Sequence, residues 1–307
     1  MFTKGMLVEN LARPEWGPGK IVHVSGGSLH VIFRDLEENM ARIFHADAPA
    51  LRIAQHQSDP TLDNLPPLIV KDGRWVLPTN RLTLQSAIQR FLHEFPAGFA
   101  DGRYMEQERD YKLAAHLEFQ KELGIQQIRS LVANRDSEGL AKKVLRVLGR
   151  VNLLSAFESA AFHDAMYTDG AVIPFFTELL KILDAKQLSR QILDEYLDAV
   201  ISLPQPRGKV ASWPVATVFP YLAQPATFMF LKPEVTKAAA ESLGFDLKYN
   251  STLNSATYDA LQRMGALYWG LLRPLGARDF VDVQSFIWVT CGGYDLQPAA
   301  SKSAKNQ

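Results

Sequence analysis

Residues 14–24 read PEWGPGKIVHV, in which a tryptophan between turn-forming residues is followed at once by β-branched residues. Glycine permits positive φ angles and close chain approach, proline restricts φ, and an aromatic ring can cover the end of a small barrel. The stretch therefore predicts a tight turn that leads into a β-strand, with the ring of Trp16 over the barrel mouth. Further strand-like runs extend to about residue 54.

The pair Gly26-Gly27 lies between two strand-like runs, as in a hairpin with a two-residue turn. The predicted cross-strand pairs are Val24 with Leu29, Val22 with Val31, and His23 with His30. Since side chains alternate between the faces of a strand, the four aliphatic residues should share the core face. The two histidines should then lie on the opposite, exposed face.

Residues 12–33, ARPEWGPGKIVHVSGGSLHVIF, resemble the small Tudor/SH3-like barrel at the C-terminus of UvrD/PcrA-type helicases. They are also similar to the barrel of CarD-type transcription regulators, and the resemblance covers about the first fifth of the chain. In those families the barrel is a non-catalytic docking module, often for RNA polymerase or nucleic acid. The docking residues implied here are Trp16, Gly17, Gly19, Lys20, His23 and His30.

The predicted fold class is α+β, with the small SH3/Tudor-like β-barrel followed by a large, mainly α-helical domain. We place the barrel at residues 1–54 and a Pro-rich linker at 55–80, with a hairpin near 69–77 that lies on the next domain. The helical domain spans 81–297, and residues 298–307 form a disordered tail. Within the helical part, we expect one long helix over 104–123, ended by Gly124 as a left-handed cap.

Composition restricts the class of protein. Equal numbers of basic and acidic side chains, 33 of each, exclude a general nucleic-acid binder but allow a local basic patch. The single cysteine, Cys291, excludes an internal disulfide. The chain starts without a signal-like apolar block and has no apolar run near the ~20 residues that span a bilayer. We therefore expect a cytoplasmic protein without membrane contact. The sequence makes no prediction of its oligomeric state.

Catalytic motifs are absent from the sequence. There is no phosphate-binding loop, dinucleotide fingerprint, zinc-protease helix or nucleophile elbow, so no catalytic residue and no cofactor are predicted. A metal site at His23, His30 and His45 with Asp47 would lack ligands, and we favour a polar face. Cys291 is interpreted as a buried structural thiol rather than a nucleophile.

Two helical segments carry charge clusters. A basic face recurs every four residues and could contact phosphates or an acidic partner, although a solvated face would look the same: Lys142, Arg146 and Arg150, with Lys143 alongside. An acid/base cluster could be formed by Glu106, Asp110, Lys112 and His116. Charges three or four residues apart on an exposed helix are more often surface pairs, and we favour that interpretation.

Polar residues embedded in apolar runs are a third group of candidates: Asn152, Lys232, Asp282 and Gln284. Burying such groups is costly unless they are paired, so they either satisfy one another or line a pocket. The leading hypothesis is a non-enzymatic bacterial adaptor. Its barrel docks on a nucleic-acid-processing partner, RNA polymerase or DNA, and its helical body binds a second ligand. The alternatives are an enzyme or defence-type effector acting on nucleic acid or nucleotide, with its site in the helical domain, and a purely structural interaction protein.

Overall fold

The computed structural model describes residues 2–36, 38–63, 65, 68–71, 73–77, 82–168, 170–206 and 208–294. The chain divides into two compact units. The sheet unit comprises Met1–Glu94, Lys237–Asp246 and Val289–Gln307, and the helical unit comprises Phe95–Thr236 and Leu247–Trp288. The tail predicted at 298–307 lies outside the described residues.

The sheet unit contains the predicted β module. Its strands are β1 Leu7–Asn10, β2 Pro18–Ser25, β3 Ser28–Phe33, β4 Arg42–His45, β5 Leu51–Ile53, β6 Ile69–Lys71 and β7 Arg74–Val76. Within the described residues, the order β4-β3-β2-β1-β5 forms a five-stranded antiparallel sheet curled into a half-barrel, and β6 pairs with β7 separately. The prediction of a β module followed by helices is therefore confirmed.

The β2–β3 hairpin turns at Gly26-Gly27, and both glycines have positive φ angles, 54° and 78°. His23 pairs with His30 and Val24 with Leu29, as predicted. A β-bulge after Ile21 then places Ile21, rather than Val22, opposite Val31. The predicted single core face is thus wrong, because Val22 lies in a different apolar cluster from Leu29 and Val31, and Val24 is exposed.

The segment predicted as a linker packs against the sheet. It contains the short helix α1 Pro60–Asp63 and the predicted hairpin, now β6–β7. Leu62 and Leu77 join Leu7 and Val22 in one apolar cluster, and the backbone N–H of residue 41 donates to the Trp75 carbonyl at 2.8 Å. The hairpin is therefore part of the sheet unit, whereas the sequence analysis placed it on the helical domain.

Helices make up the rest of the described chain. They are α2 Leu84–Glu94, α3 Gly102–Tyr104, α4 Asp110–Leu123, α5 Ile125–Ala133, α6 Ser137–Leu148, α7 Ala156–Met166, α8 Val172–Asp184, α9 Arg190–Ile201, α10 Trp213–Ala223, α11 Pro233–Ser242, α12 Ser255–Leu272 and α13 Phe280–Trp288. Helix α2 belongs to the sheet unit, and α11 is divided between the two units. Ser155 and Glu158 form a capping box at the start of α7, as the Ser-x-x-Glu pattern indicates.

The long helix predicted over 104–123 is interrupted. A π-helical segment, Met105–Arg109, lies between α3 and α4 and inserts an extra residue into the turn. Gly124 ends α4 with a φ of −58°, so the predicted left-handed cap is wrong; the residue instead precedes the first turn of α5.

Helix α10 is buried along its whole length and forms the centre of the helical unit. Pro220 lies inside it and has no N–H to donate to the Ala216 carbonyl one turn earlier. The Tyr196 hydroxyl donates to that carbonyl instead, at 2.8 Å. Because a buried carbonyl without a donor is costly, this contact lets an apolar, proline-containing helix lie at the core.

Candidate functional site

A cavity of about 90 Å³ lies within the helical unit. Its polar lining comes from four separate segments of the chain: Gln107, Glu108, Lys112, Asn152, Lys232 and Gln284. Three residues predicted to line a pocket, namely Asn152, Lys232 and Gln284, are among them. Drug-sized ligands occupy cavities of roughly 300–1,000 Å³, so this cavity suits a head group of a few heavy atoms.

The π-helical segment Met105–Arg109 supplies one side of this cavity. Gln107 and Glu108 belong to it, and Lys112 follows one turn later in α4. Short π-helical segments inside α-helices are frequent at functional sites, because the extra residue redirects neighbouring side chains. Periodicity could not reveal the segment, since its residues continue the helical pattern.

Lys112 is the most unusual side chain of the site, because it carries an ammonium group and is only 1% exposed. Its Nζ donates to Glu108 Oε2 and to Ser285 Oγ, both at 2.8 Å. Burial lowers the pKa of Lys112, and the neighbouring carboxylate of Glu108 opposes that shift. The interpretation of Lys112 as part of a surface cluster is therefore wrong, whereas Glu106 and Asp110 are exposed as expected.

Asp282 lies outside the cavity lining and its side chain is completely buried. Its Oδ1 accepts from the Tyr104 hydroxyl at 2.5 Å and from Arg109 Nη1 at 2.7 Å. Its Oδ2 accepts from the Arg278 backbone N–H at 2.8 Å and from Arg278 Nε at 2.9 Å. Arg109 also forms a two-contact ion pair with Asp279. Asp282 is thus a positioning residue that ties the π-helical segment to α13, rather than the pocket residue predicted.

The pKa values in this network follow from its hydrogen bonds. Burial alone would raise the pKa of Asp282, but hydrogen bonds from Arg278 and Tyr104 lower it below the ordinary value. Burial and the adjacent Asp282 carboxylate raise the pKa of Tyr104. Asp282 is therefore a carboxylate and Tyr104 a neutral donor at neutral pH.

Lys232 and Gln284 complete the polar lining. Lys232 Nζ donates to the Leu153 carbonyl at 3.2 Å. Gln284 is only 5% exposed, and its Oε1 has no hydrogen-bond partner among the described residues. Tyr111, Phe230 and Trp288 supply the aromatic part of the wall. The site thus combines two lysines, a glutamine and aromatic surface, which can hold a small polar ligand.

Sequence reasoning missed Glu108 and Ser285 as site residues, and for Lys112 it favoured a surface pair over the acid/base cluster. The only local signal was the four-residue spacing of Glu108 and Lys112, which an exposed helix shows equally often. Ser285 stands 173 positions from Lys112, and nothing in the local pattern connects the two.

The residues predicted for docking are mostly engaged within the sheet unit. The Trp16 ring packs edge-on against the Phe33 ring, with ring centres 5.2 Å apart, and the Arg42 guanidinium lies 5.4 Å from the Trp16 ring centre. Lys20 Nζ donates to Asp63 at 2.9 Å. The prediction that His30 is exposed is wrong, because His30 is buried.

Other predicted docking residues have structural roles just before strand β2 or within it. Gly17 has a φ of 65°, and a Cβ at Gly19 would approach Val31 Cγ1 to 2.6 Å. His23 lies beside Trp75, with ring centres 5.0 Å apart. Packing within the sheet unit therefore accounts for the residue types at these positions, and no partner is needed to explain them.

The predicted basic face is largely paired with carboxylates. Lys142 forms an ion pair with Glu138, while Lys143 and Arg146 both contact Glu122, at 2.6 and 3.0 Å. Hydrogen bonds from these two cations lower the pKa of Glu122. A phosphate would have to compete with these pairings, so the face offers less free charge than Lys142, Lys143, Arg146 and Arg150 suggest.

The described residues contain no group of histidine, cysteine and acidic side chains that could hold a metal ion. Burial raises the pKa of Cys291 to about 11, so this thiol is protonated at neutral pH. Among the described residues, no helix is long and apolar enough to cross a membrane.

Comparison with known proteins adds no family to these observations. No protein-family model, curated protein or solved structure matches the chain. The resemblance of the N-terminal module to the helicase and regulator barrels therefore stays a prediction.

Proposed function

We propose that the helical unit is a binding unit that takes the anionic group of a small ligand into the 90 Å³ cavity. One observation carries this proposal: Lys112, Lys232 and Gln284, which come from distant segments, converge on one cavity. Polar groups are buried at a cost, and here part of their hydrogen-bonding capacity is unused within the described chain. The same cavity would serve the alternative, an enzyme acting on a nucleotide or nucleic acid.

Lys232 is the best residue with which to test anion binding, because it is half-buried and makes no ion pair with the described residues. Lys232→Ala should weaken the binding of inorganic phosphate, AMP or lactate by about tenfold or more, since a hydrogen bond to a charged group contributes roughly 1.5–3 kcal/mol. Binding is measured by titration calorimetry and by the rise in Tm that a bound ligand produces.

The matched control is Lys186→Ala, which removes an exposed lysine that does not line the cavity. This variant should bind each probe as the wild type does. If the wild type binds none of the three probes, or if Lys232→Ala binds them unchanged, the proposal is wrong.

A second function, docking by the β module on RNA polymerase, is favoured by a separate groove in the sheet unit. The groove has a volume of about 360 Å³, and its apolar wall includes Leu65, Leu68 and Trp75. Lys4 and the Lys20–Asp63 ion pair lie at its edge. Lys4 is exposed and makes no ion pair within the described chain, so an apolar segment next to a carboxylate would be complementary.

The test is co-purification of the full chain with RNA polymerase. Lys4→Glu should reduce the retained polymerase severalfold, because the charge at the groove reverses, while Lys71→Glu, on the exposed strand β6, should retain it. This docking function is excluded if the wild type retains no polymerase. It is also excluded if the two variants retain equal amounts. Binding of DNA fragments instead would favour the nucleic-acid alternative.

A further inference from the structure

We infer that the ligand of this cavity is a small polyhydroxylated anion, a sugar phosphate or a sugar acid, whose hydroxyl groups lie at the cavity mouth against Gln107 and Asn152. The inference rests on the proposed anion-binding function and specifies the class of molecule that carries the anionic group. In this arrangement Lys232 binds the anion, and the two carboxamides determine which molecules are accepted.

The mouth of the cavity is defined by the exposure of its lining. Of the described lining residues, Gln107 and Asn152 are the two that are exposed, whereas Glu108 and Lys112 are buried and Lys232 is half-buried. A lining residue that solvent also reaches lies where the cavity opens. Because the volume of about 90 Å³ holds only a few heavy atoms, the rest of a larger ligand passes Gln107 and Asn152.

The two exposed residues make the mouth uncharged and able to form hydrogen bonds. The carboxamides of Gln107 and Asn152 make no hydrogen bond within the described chain. Each offers N–H donors and an acceptor oxygen, and a hydroxyl group also both donates and accepts. Neighbouring hydroxyl groups can therefore bond a carboxamide whichever way the amide is turned. An alkyl chain at the mouth would displace water from the amides without replacing its hydrogen bonds, which is costly.

The anion site lies close to this mouth along the chain. Lys232 Nζ donates to the Leu153 carbonyl at 3.2 Å, and Asn152 is the residue before Leu153. Two N–H groups of Lys232 have no partner within the described chain. Consecutive Cα atoms are about 3.8 Å apart, so Asn152 lies within reach of a group a few bonds away from an anion on Lys232. Sugar phosphates and sugar acids carry hydroxyl groups at that separation from their anionic group.

Two matched pairs of ligands test the inference on the full-length wild type. Ribose 5-phosphate is compared with pentyl phosphate, and gluconate with hexanoate; within each pair, only the first compound carries hydroxyl groups. In calorimetric titrations the hydroxylated compound should bind about tenfold more tightly in at least one pair, because several modest hydrogen bonds form. The pair that shows the preference distinguishes a sugar phosphate from a sugar acid. The absence of a preference in both pairs would overturn the inference.

Gln107→Ala and Asn152→Ala each remove one carboxamide from the mouth. In each variant the preference for the hydroxylated compound should fall to less than about threefold. The matched control is Gln187→Ala, which removes an exposed carboxamide outside the cavity lining and should keep the full preference. Circular dichroism and Tm show whether the variants are folded, and the wild-type pairs test the inference even if they are not.

Two results would contradict the inference. It is wrong if Gln107→Ala and Asn152→Ala, both folded, keep the full preference. If inorganic phosphate or lactate binds through Lys232 while neither hydroxylated compound binds more tightly than its alkyl counterpart, the proposed function stands and this inference fails.

Discussion

In the sheet unit, Arg52 and Glu9 form an ion pair whose side chains are 56% and 36% exposed. In the helical unit, Lys112 and Glu108 form one whose side chains are 1% and 4% exposed. The first pair keeps most of its hydration, whereas the second has lost nearly all of it. Desolvation of a buried pair can exceed its Coulombic attraction, so such a pair is weak evidence for stability.

The comparison therefore points to function in the helical unit. Asp282, Arg109 and Lys112 are buried together although apolar residues of similar volume could be equally stable there. We interpret their retention as the means of holding the cavity lining in one geometry. The sheet unit, by contrast, contains two apolar clusters among its strands, and its buried Asp59 pairs with the partly exposed Arg34.

The largest effect should come from Asp282→Asn, which removes the shared carboxylate of the buried network without leaving a void. We expect a loss of about 3 kcal/mol in the free energy of unfolding, since a buried charge loses a partner. Chemical denaturation measures it. Asp184→Asn, which breaks an exposed pair with Arg129, should lose no more than about 1 kcal/mol. Equal losses for the two variants would remove the distinction between the units.

A packing change should be the most damaging in the sheet unit. A Cβ at Gly19 would lie 2.6 Å from Val31 Cγ1 and 2.7 Å from Phe33 Cδ1, so Gly19→Ala should lose roughly 1–3 kcal/mol through overpacking. The control is Gly270→Ala in α12, where a Cβ meets no atom within 4 Å of the described chain. It should gain up to about 1 kcal/mol. If Gly19→Ala leaves the free energy of unfolding unchanged, the strand moves enough to accommodate the added Cβ.

The units should also respond to different ranges of pH. Burial, together with the neighbouring His23, lowers the pKa of His30, so the folded sheet unit binds a proton less readily than the unfolded chain. Stability should therefore fall as the pH decreases below about 6.5. The pKa of Asp282 is lowered from 3.8, so its contribution is present above that value and is lost only in stronger acid.

Denaturation at pH 7.5 and 5.5 separates the two effects, because the carboxylates stay ionised in this range. His30→Gln should lose less stability between these pH values than the wild type, whereas His45→Gln, which changes an exposed ring, should match the wild type. If His30→Gln loses as much stability between these pH values as the wild type does, groups other than His30 cause the pH dependence.

The smallest effect should follow from Arg52→Ala, which breaks the exposed pair with Glu9 across strands β1 and β5. We expect a loss of no more than about 1 kcal/mol, because hydration and salt screen such pairs. Unfolding at low and at high salt measures the loss, which should become smaller at high salt because screening weakens the pair. A loss near 3 kcal/mol would mean that the sheet depends on charge as much as the helical unit does.

Much of the fold could be predicted because its signals are local. The Gly26-Gly27 turn, the pairing of His23 with His30 and the hairpin near 69–77 all appear where the pattern placed them. The β-bulge after Ile21 could not be predicted, since a one-residue insertion keeps the β-branched pattern and changes only the face of each side chain.

The candidate site was predicted less well than the fold. Polar residues in apolar runs indicated Asn152, Lys232 and Gln284, and all three line the cavity. The same argument included Asp282, which does not line the cavity but accepts a hydrogen bond from Arg109 behind its wall. Lys112 was assigned to the surface, since the spacing of an ion pair on a helix contains no information about its burial.

The sequence by itself determined that a β module built around residues 14–33 precedes a set of helices, because turns, caps and periodicity act over a few residues. Only the tertiary structure decided which charges share a partner. Asp282 meets Tyr104 and Arg109 across more than 170 positions of the chain. Such contacts depend on how the helices pack, and packing sums weak contributions from many distant residues that no local pattern records.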